Sequence, residues 1–148
     1  MQPIRERYVH RELVRFTHTD PAGYVFFPRF FEMFQAAVED WFTDCLGIPY
    51  AARILDTHTG FPTAHLECDF RQPCRLGDVV EFELILEAIG RTSYTLRIAG
   101  RVGGQLRLRA RVVIVSIDMD AGRPQPLAPD LRERMAEYLR VCQADLQG

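Results

Sequence analysis

After Pro28 the chain carries apolar residues at steps of three and four positions, with acidic and polar residues between them. This spacing predicts an amphipathic helix, because it places the apolar side chains on one face. Pro28 suits its first turn, and Gly47, followed by Ile48 and Pro49, suits its end. The apolar face comprises Phe30, Phe31, Phe34, Ala37, Val38, Trp41, Phe42 and Cys45. So aromatic a face requires a broad apolar surface to pack on.

Segments further along the chain in which apolar and polar residues alternate predict a β-sheet that would provide this apolar surface. Residues 63–70, 80–87, 94–102 and 106–114 alternate apolar and polar positions and are separated by glycine-bearing turns, which is typical of antiparallel strands. An earlier strand is predicted within residues 8–17, and residues 130–142 predict a final amphipathic helix that opens on a capping box. The order predicts an α+β fold: one domain over residues 1–148, with an antiparallel sheet around a long central helix.

The alternation also constrains how two of the strands pair. Placing Leu84 beside Leu96 on one face requires an odd-numbered loop around Gly90. This register sets Arg97 opposite Glu83 as a cross-strand ion pair. Residues 50–60 and 118–129 are predicted as loops.

Composition narrows the class of protein. The chain has 148 residues, 47% of them hydrophobic, and a formal charge of -2, which favours neither nucleic acid nor an anionic membrane. All 18 basic residues are Arg, which excludes Schiff-base chemistry on lysine. No signal core, membrane span or metal-type Cys/His spacing is present. We therefore expect a cytoplasmic protein without a metal.

The candidate chemistry lies just before the central helix. Asp20 ends a short polar run, and Gly23 provides a turn that leads to the helix start. A carboxylate beside free N–H groups at a helix N-terminus suits a base or nucleophile next to an oxyanion site. Asp20 equally suits a simple turn-forming residue, and His18 is a candidate second base.

The string Thr19-Asp20-Pro21-Ala22-Gly23-Tyr24-Val25-Phe26-Phe27-Pro28 and the order of elements resemble the hot-dog fold acyl-CoA thioesterases. The resemblance is to the 4-hydroxybenzoyl-CoA thioesterase and YbgC-like branch and extends over roughly the first 120 residues. One residue departs from the branch pattern, which has Asn where this chain has Arg29. Arg29 cannot accept hydrogen bonds and is free to pair with a carboxylate, Asp20 included.

The resemblance implies a five-stranded antiparallel sheet wrapped around the helix and a homodimer or a homotetramer built from dimers, with active sites between subunits. It implies hydrolysis of an acyl-CoA or aroyl-CoA thioester, with Asp20 as nucleophile or general base. The backbone N–H near Phe27 would polarise the thioester carbonyl. No cofactor is expected, since CoA belongs to the substrate.

Further residues are candidates for binding the substrate. Gly23 and Tyr24 belong to the motif, and His65 lies on the polar face of a predicted strand. At a predicted hairpin, Arg91, Thr92 and Ser93 offer a guanidinium, hydroxyls and amides to CoA phosphates.

Two alternative functions remain open. A hydratase or dehydratase acting on acyl thioesters would need a His with an acid, and His18 with Glu39 is the visible pair. Glu39 is also the alternative catalytic acid, because another thioesterase branch carries its acid on the helix. A non-catalytic acyl-CoA-binding dimer is the second alternative.

Overall fold

The computed structural model describes residues 2–147, with side chains through residue 144, so the ends of the predicted 1–148 domain lie outside it. The helices are α1 Pro28–Asp40, α2 Tyr50–Thr57 and α3 Pro129–Gln147, and the strands are β1 Tyr8–Leu13, β2 Thr59–Gly60, β3 Thr63–Phe70, β4 Val79–Ile89, β5 Ser93–Val102, β6 Gln105–Val115, β7 Ile117–Asp118 and β8 Arg123–Pro124. Within this range β1-β4-β5-β6-β3 form an antiparallel sheet, and β2, β7 and β8 form a smaller one.

Helix α1 is the central element. Pro28 opens it, and its buried face comprises Phe30, Met33, Phe34, Ala37 and Val38. The Phe34 ring meets Phe82 of β4 edge-on, with ring centroids 5.7 Å apart. A π-helical turn, Trp41–Leu46, continues the helix, and Gly47 ends it with a φ of 73°, which favours glycine. The helix therefore has a fixed axis against the sheet.

The predicted alternation holds along β4, where Val80, Phe82, Leu84 and Leu86 are buried. Helix α3 packs against this strand, and its residues Leu131, Met135 and Tyr138 are buried. The Tyr138 hydroxyl donates to the Leu84 carbonyl and accepts the Tyr8 N–H at 2.8 Å. The predicted α+β class, an antiparallel sheet around a central helix with a final helix, is confirmed.

Three local predictions are wrong. Strand β1 ends at Leu13, and residues 16–18 form a 3₁₀ turn because the chain leaves the sheet after Val14. Residues 50–57 form α2, which packs Tyr50 against Phe42 at a ring distance of 5.2 Å. The predicted loop at 118–129 contains β8 and the end of β7.

The pairing of β4 with β5 differs by two residues from the predicted register. Residues 90–92 connect the two strands, an odd number as predicted, but Leu84 lies opposite Ile98, and Arg97 lies opposite Ile85. A bulge between Leu86 and Ala88 offsets the pairs on its two sides by one residue. Arg97 consequently bonds Glu87 at 2.9 Å instead of pairing with Glu83.

Candidate active site

Residues 18–26 form a tight hairpin immediately before α1. The Phe26 N–H donates to the His18 carbonyl at 2.9 Å, and the Asp20 N–H donates to the Tyr24 carbonyl at 2.8 Å. Gly23 closes the turn with a φ of 82°, a backbone conformation that residues with a Cβ rarely adopt. We call this segment the active-site hairpin, because it fixes Asp20 relative to the helix start.

The Asp20 carboxylate is oriented through one of its two oxygens. Oδ1 accepts the Ala22 N–H at 2.9 Å and the Tyr24 N–H at 3.2 Å. Among the described residues Oδ2 has no hydrogen-bond donor within reach. Asp20 therefore forms the turn and still presents one free oxygen from a fixed position.

The backbone at the helix start leaves one donor unused. The Phe26 N–H is bonded within the hairpin, Pro28 has no N–H, and the Arg29 N–H donates to the Phe26 carbonyl at 2.8 Å. The Phe30 N–H donates to Phe27 at 3.1 Å. Within the described chain the Phe27 N–H has no acceptor, so it is available to an external oxygen at the positive end of the α1 dipole.

His18 lies at the base of the hairpin, and one of its ring nitrogens is occupied. The Arg15 N–H donates to His18 Nδ1 at 2.8 Å, so the neutral ring carries its proton on Nε2. No hydrogen bond joins His18 to Asp20 in the described residues. This geometry gives His18 a role in holding the 3₁₀ turn.

A cluster of aromatic rings surrounds the helix start. Phe26, Phe27 and Phe70 are 50%, 55% and 46% exposed, which is unusual for such large apolar side chains. The Phe27 ring lies 5.7 Å from Phe26, 6.5 Å from Phe31 and 6.2 Å from Phe70 between centroids. We call Phe26, Phe27, Phe31 and Phe70 the aromatic cluster; it offers an open apolar surface beside the hairpin.

The connection between β3 and β4 flanks the same hairpin. The Val25 N–H donates to the Cys74 carbonyl at 2.9 Å, and the Arg75 guanidinium lies 5.6 Å from the centre of the Tyr24 ring. The sequence reasoning missed Arg75 and Phe70, because about 50 residues separate them from the hairpin and no local pattern connects them.

Other predicted binding residues are not near Asp20 in one chain. His65 lies on β3, on the sheet face opposite α1, and bonds Glu67 at 2.8 Å. Arg91, Thr92 and Ser93 lie beyond the far end of β4, whose 11 residues span on the order of 30 Å. Their binding role stays a prediction that needs a second subunit.

The two helix residues singled out from the sequence are also accounted for. Arg29 pairs with Glu32 at 2.7 Å and not with Asp20. Glu39 accepts a hydrogen bond from Gln35 at 3.0 Å and lies 11 residues along α1 from Pro28, about 17 Å at the helical rise. His18 and Glu39 therefore do not meet within one chain, so the hydratase alternative would also need a second subunit.

A large groove lies elsewhere on the chain. It has a volume of about 1120 Å³, is lined by residues 2–9 with Asp44, Cys45 and Arg134, and contains none of the predicted site residues. Arg134 is already bonded to the Leu46 carbonyl and to Glu137.

Among the described residues no helix is long and apolar enough to cross a membrane. The same described residues contain no cluster of His, Cys, Asp or Glu side chains that could hold a metal ion.

An antiparallel sheet wrapped around a helix, with an acid-bearing hairpin at the helix start, defines a hot-dog fold protein. Residues 14–135 match the Thioesterase-like superfamily, and the chain belongs to this family. The predicted class, a hot-dog fold thioester hydrolase, is confirmed.

Individual relatives agree with this membership. A 1,4-dihydroxy-2-naphthoyl-CoA hydrolase of Synechococcus elongatus is 26% identical over 135 residues, which is 90% of this chain and 96% of the relative. A gentisyl-coenzyme A thioesterase shares the fold with a TM-score of 0.78 at 24% identity, covering 86% of this chain and 98% of that one. A Staphylococcus aureus protein in complex with CoA has a TM-score of 0.84 at 16% identity, covering 95% and 88%.

Proposed function

We propose that the protein hydrolyses an aroyl-CoA thioester to the free acid and CoA, with Asp20 and the Phe27 N–H as its catalytic groups. One observation carries this proposal: the free Oδ2 of Asp20 and the free N–H of Phe27 belong to the same rigid hairpin and helix start. An acyl-transfer site needs these two elements, a fixed attacking or proton-accepting group and a donor for the oxyanion.

In the proposed reaction the thioester carbonyl oxygen accepts the Phe27 N–H. Asp20 Oδ2 then either attacks the carbonyl carbon, giving a mixed anhydride that water hydrolyses, or removes a proton from an attacking water. In both routes negative charge develops on the carbonyl oxygen, where the N–H and the α1 dipole stabilise it. The C–S bond breaks, and CoA leaves as the thiolate. In the general-base route the acid gains its oxygen from water; in the anhydride route, where water attacks the Asp20 carbonyl, the acid keeps the Asp20 oxygen and the water oxygen enters the Asp20 carboxylate. This chemistry needs no resident cofactor.

The aromatic cluster supports an aromatic acyl group. Stacked and edge-on ring contacts stabilise by about 0.5–1.5 kcal/mol beyond simple burial. Two of the relatives are named for the hydroxyaroyl thioesters 1,4-dihydroxy-2-naphthoyl-CoA and gentisyl-CoA. We therefore propose a hydroxyaroyl-CoA as the substrate class.

We further propose that the working unit is a homodimer joined through β3, which can assemble into a tetramer. Strand β3 is an edge of the sheet, all its residues are exposed or half-buried, and such an edge pairs readily with a second strand. Antiparallel pairing of two β3 strands would set the Phe70 end of one subunit beside the Thr63 end of its partner. The partner subunit's Arg91 and the partner subunit's His65 would then approach the Asp20 end.

The test measures thiol release from 4-hydroxybenzoyl-CoA and from a straight-chain acyl-CoA. Asp20→Asn should lower kcat by roughly two to four orders of magnitude. Asp56→Asn, an exposed carboxylate on α2, is the matched control and should keep full activity. A folded, dimeric Asp20→Asn protein with wild-type thiol release would contradict the proposal and favour a binding dimer.

A second measurement separates the two routes. Under single-turnover conditions in heavy-oxygen water, label that appears first in the Asp20 carboxylate indicates the anhydride. Label that appears only in the released acid excludes an anhydride opened at Asp20 and is the result expected for general-base catalysis.

A further inference from the structure

Residues 71–78, which connect β3 to β4, form a platform against the active-site hairpin. The Leu76 N–H donates to the Gly23 carbonyl at 3.1 Å, and the Val25 N–H donates to the Cys74 carbonyl at 2.9 Å. Tyr24 and Arg75 pair as an isolated β-bridge. The connection therefore keeps a fixed position relative to Asp20.

Hydrogen bonds also fix the platform internally. The N–H groups of Arg71 and Gln72 donate to the Arg107 carbonyl at 2.8 and 3.1 Å. The Arg107 guanidinium donates back to the Pro73 carbonyl. The Arg75 N–H donates to Asp78 Oδ2 at 2.8 Å. Because the backbone is held at so many points, side chains on this platform start from defined positions.

Two guanidinium groups on this platform carry uncompensated charge. Arg71 and Arg75 are exposed, and among the described residues neither side chain forms an ion pair. The sheet face opposite α1 differs, since Arg97 and Arg111 there both pair with Glu87. The Tyr24 ring, 5.6 Å from the Arg75 guanidinium, orients it by a cation–π contact.

We propose that Arg71 and Arg75 bind the phosphate groups at the nucleotide end of the CoA substrate. Guanidinium groups match phosphate oxygens through paired charge-assisted hydrogen bonds. The platform lies beside the hairpin that carries Asp20, and the pantetheine arm of CoA separates its thioester from its phosphates. The assignment rests on the proposed CoA-thioester hydrolysis and places the phosphate site on the chain that supplies Asp20.

The experiment compares two substrates, 4-hydroxybenzoyl-CoA and 4-hydroxybenzoyl-pantetheine, which lacks the nucleotide. In the Arg71→Ala/Arg75→Ala double variant, the KM for the CoA ester should rise at least about tenfold, because charge-assisted bonds are lost, while kcat changes little. The kcat/KM for the pantetheine ester should stay at the wild-type value. Arg5→Ala/Arg140→Ala removes the same net charge from exposed positions far from the hairpin and should leave both substrates unaffected.

A binding measurement keeps this test separate from the proposed hydrolysis. Calorimetry should detect binding of adenosine 3′,5′-bisphosphate to the wild-type protein and at least a tenfold loss of affinity in the double variant. That result would support the phosphate site even if wild-type protein released no thiol from either ester, an outcome that would refute the hydrolysis alone.

Several outcomes would overturn the assignment. One is an equal loss of kcat/KM for both esters, because that indicates a purely structural role for the two arginines. Another is a selective rise in KM for the CoA ester in Arg91→Ala but not in the double variant. A third is binding of inorganic phosphate as tight as that of the bisphosphate, since this indicates a general anion site.

Discussion

Replacing Phe27 with proline removes one backbone N–H together with the Phe27 ring. Phe27 has a φ of -53°, close to the value that the proline ring imposes. Its N–H has no acceptor among the described residues, so the substitution breaks no native hydrogen bond. Phe26, which would precede the new proline, lies outside α1, where the restriction on residues before proline is least costly.

The size of the expected effect follows from the proposed role of this donor. Removing one oxyanion donor typically lowers kcat by two to three orders of magnitude, or about 3 kcal/mol of transition-state stabilisation. Phe27→Pro also removes the half-exposed ring, so Phe27→Ala is the matched control, which keeps the N–H and lacks the ring. We expect Phe27→Pro to have a kcat about a hundredfold or more below that of Phe27→Ala.

The assay is steady-state thiol release from an aroyl-CoA ester, with thermal unfolding of both variants measured in parallel. If Phe27→Pro unfolds at the same temperature as Phe27→Ala and its kcat is within threefold of that control, the N–H does not stabilise the oxyanion. That result would refute the reasoning, because the substitution changes no other donor at the helix start.

Two further predictions concern stability. Tyr138→Phe should lower the free energy of unfolding by about 2 kcal/mol in urea titrations, because the Leu84 carbonyl and the Tyr8 N–H lose their shared partner. A change below 0.5 kcal/mol, at the scale of a typical surface substitution, would contradict it. The hydrogen bond from Arg53 lowers the pKa of Asp130 below its ordinary value of 3.8. The ionised carboxylate therefore stabilises the fold at pH values above 3.8, and this stabilisation is lost as the pH falls through the lowered pKa. Asp130→Asn should therefore destabilise the fold at pH 7 by less than about 1 kcal/mol, since the Asp130 side chain is 53% exposed and solvent screens the pair. The difference should disappear towards pH 3, and a pH-independent difference would contradict the prediction.

Strong local periodicity explains which elements were predictable. Helix α1 repeats its apolar residues over several turns, and β4 alternates over its whole length, so both were predicted from the sequence. Helix α2 has only eight residues, and contacts of Tyr50 with Phe42 and Phe61 help to fix it. Short segments of this kind depend on tertiary packing more than on propensity.

The β4–β5 register shows a second limit. Apolar alternation alone fits two registers that differ by two residues, because both keep the same side chains on the same face. The observed register has a bulge next to Glu87, and Glu87 bonds both Arg97 at 2.9 Å and Arg111 at 2.8 Å. Since Arg111 belongs to a third strand, pairing rules for β4 and β5 alone could not reveal this bridge.

The same distinction between local and distant contacts decides which residues of the candidate site could be predicted from the sequence. Asp20 and Phe27 were predictable because they lie close together in the chain, and the hydrogen bonds within the hairpin join residues at most eight positions apart. Arg75 and Phe70 reach the site only because β3 ends, and β4 begins, at the end of the sheet where α1 starts. By the same topology, β4 carries the Arg91 loop to the opposite end. The Arg71/Arg75 and Arg91 variants therefore distinguish a CoA-binding site on the β3–β4 connection of the same chain from one that a second subunit supplies.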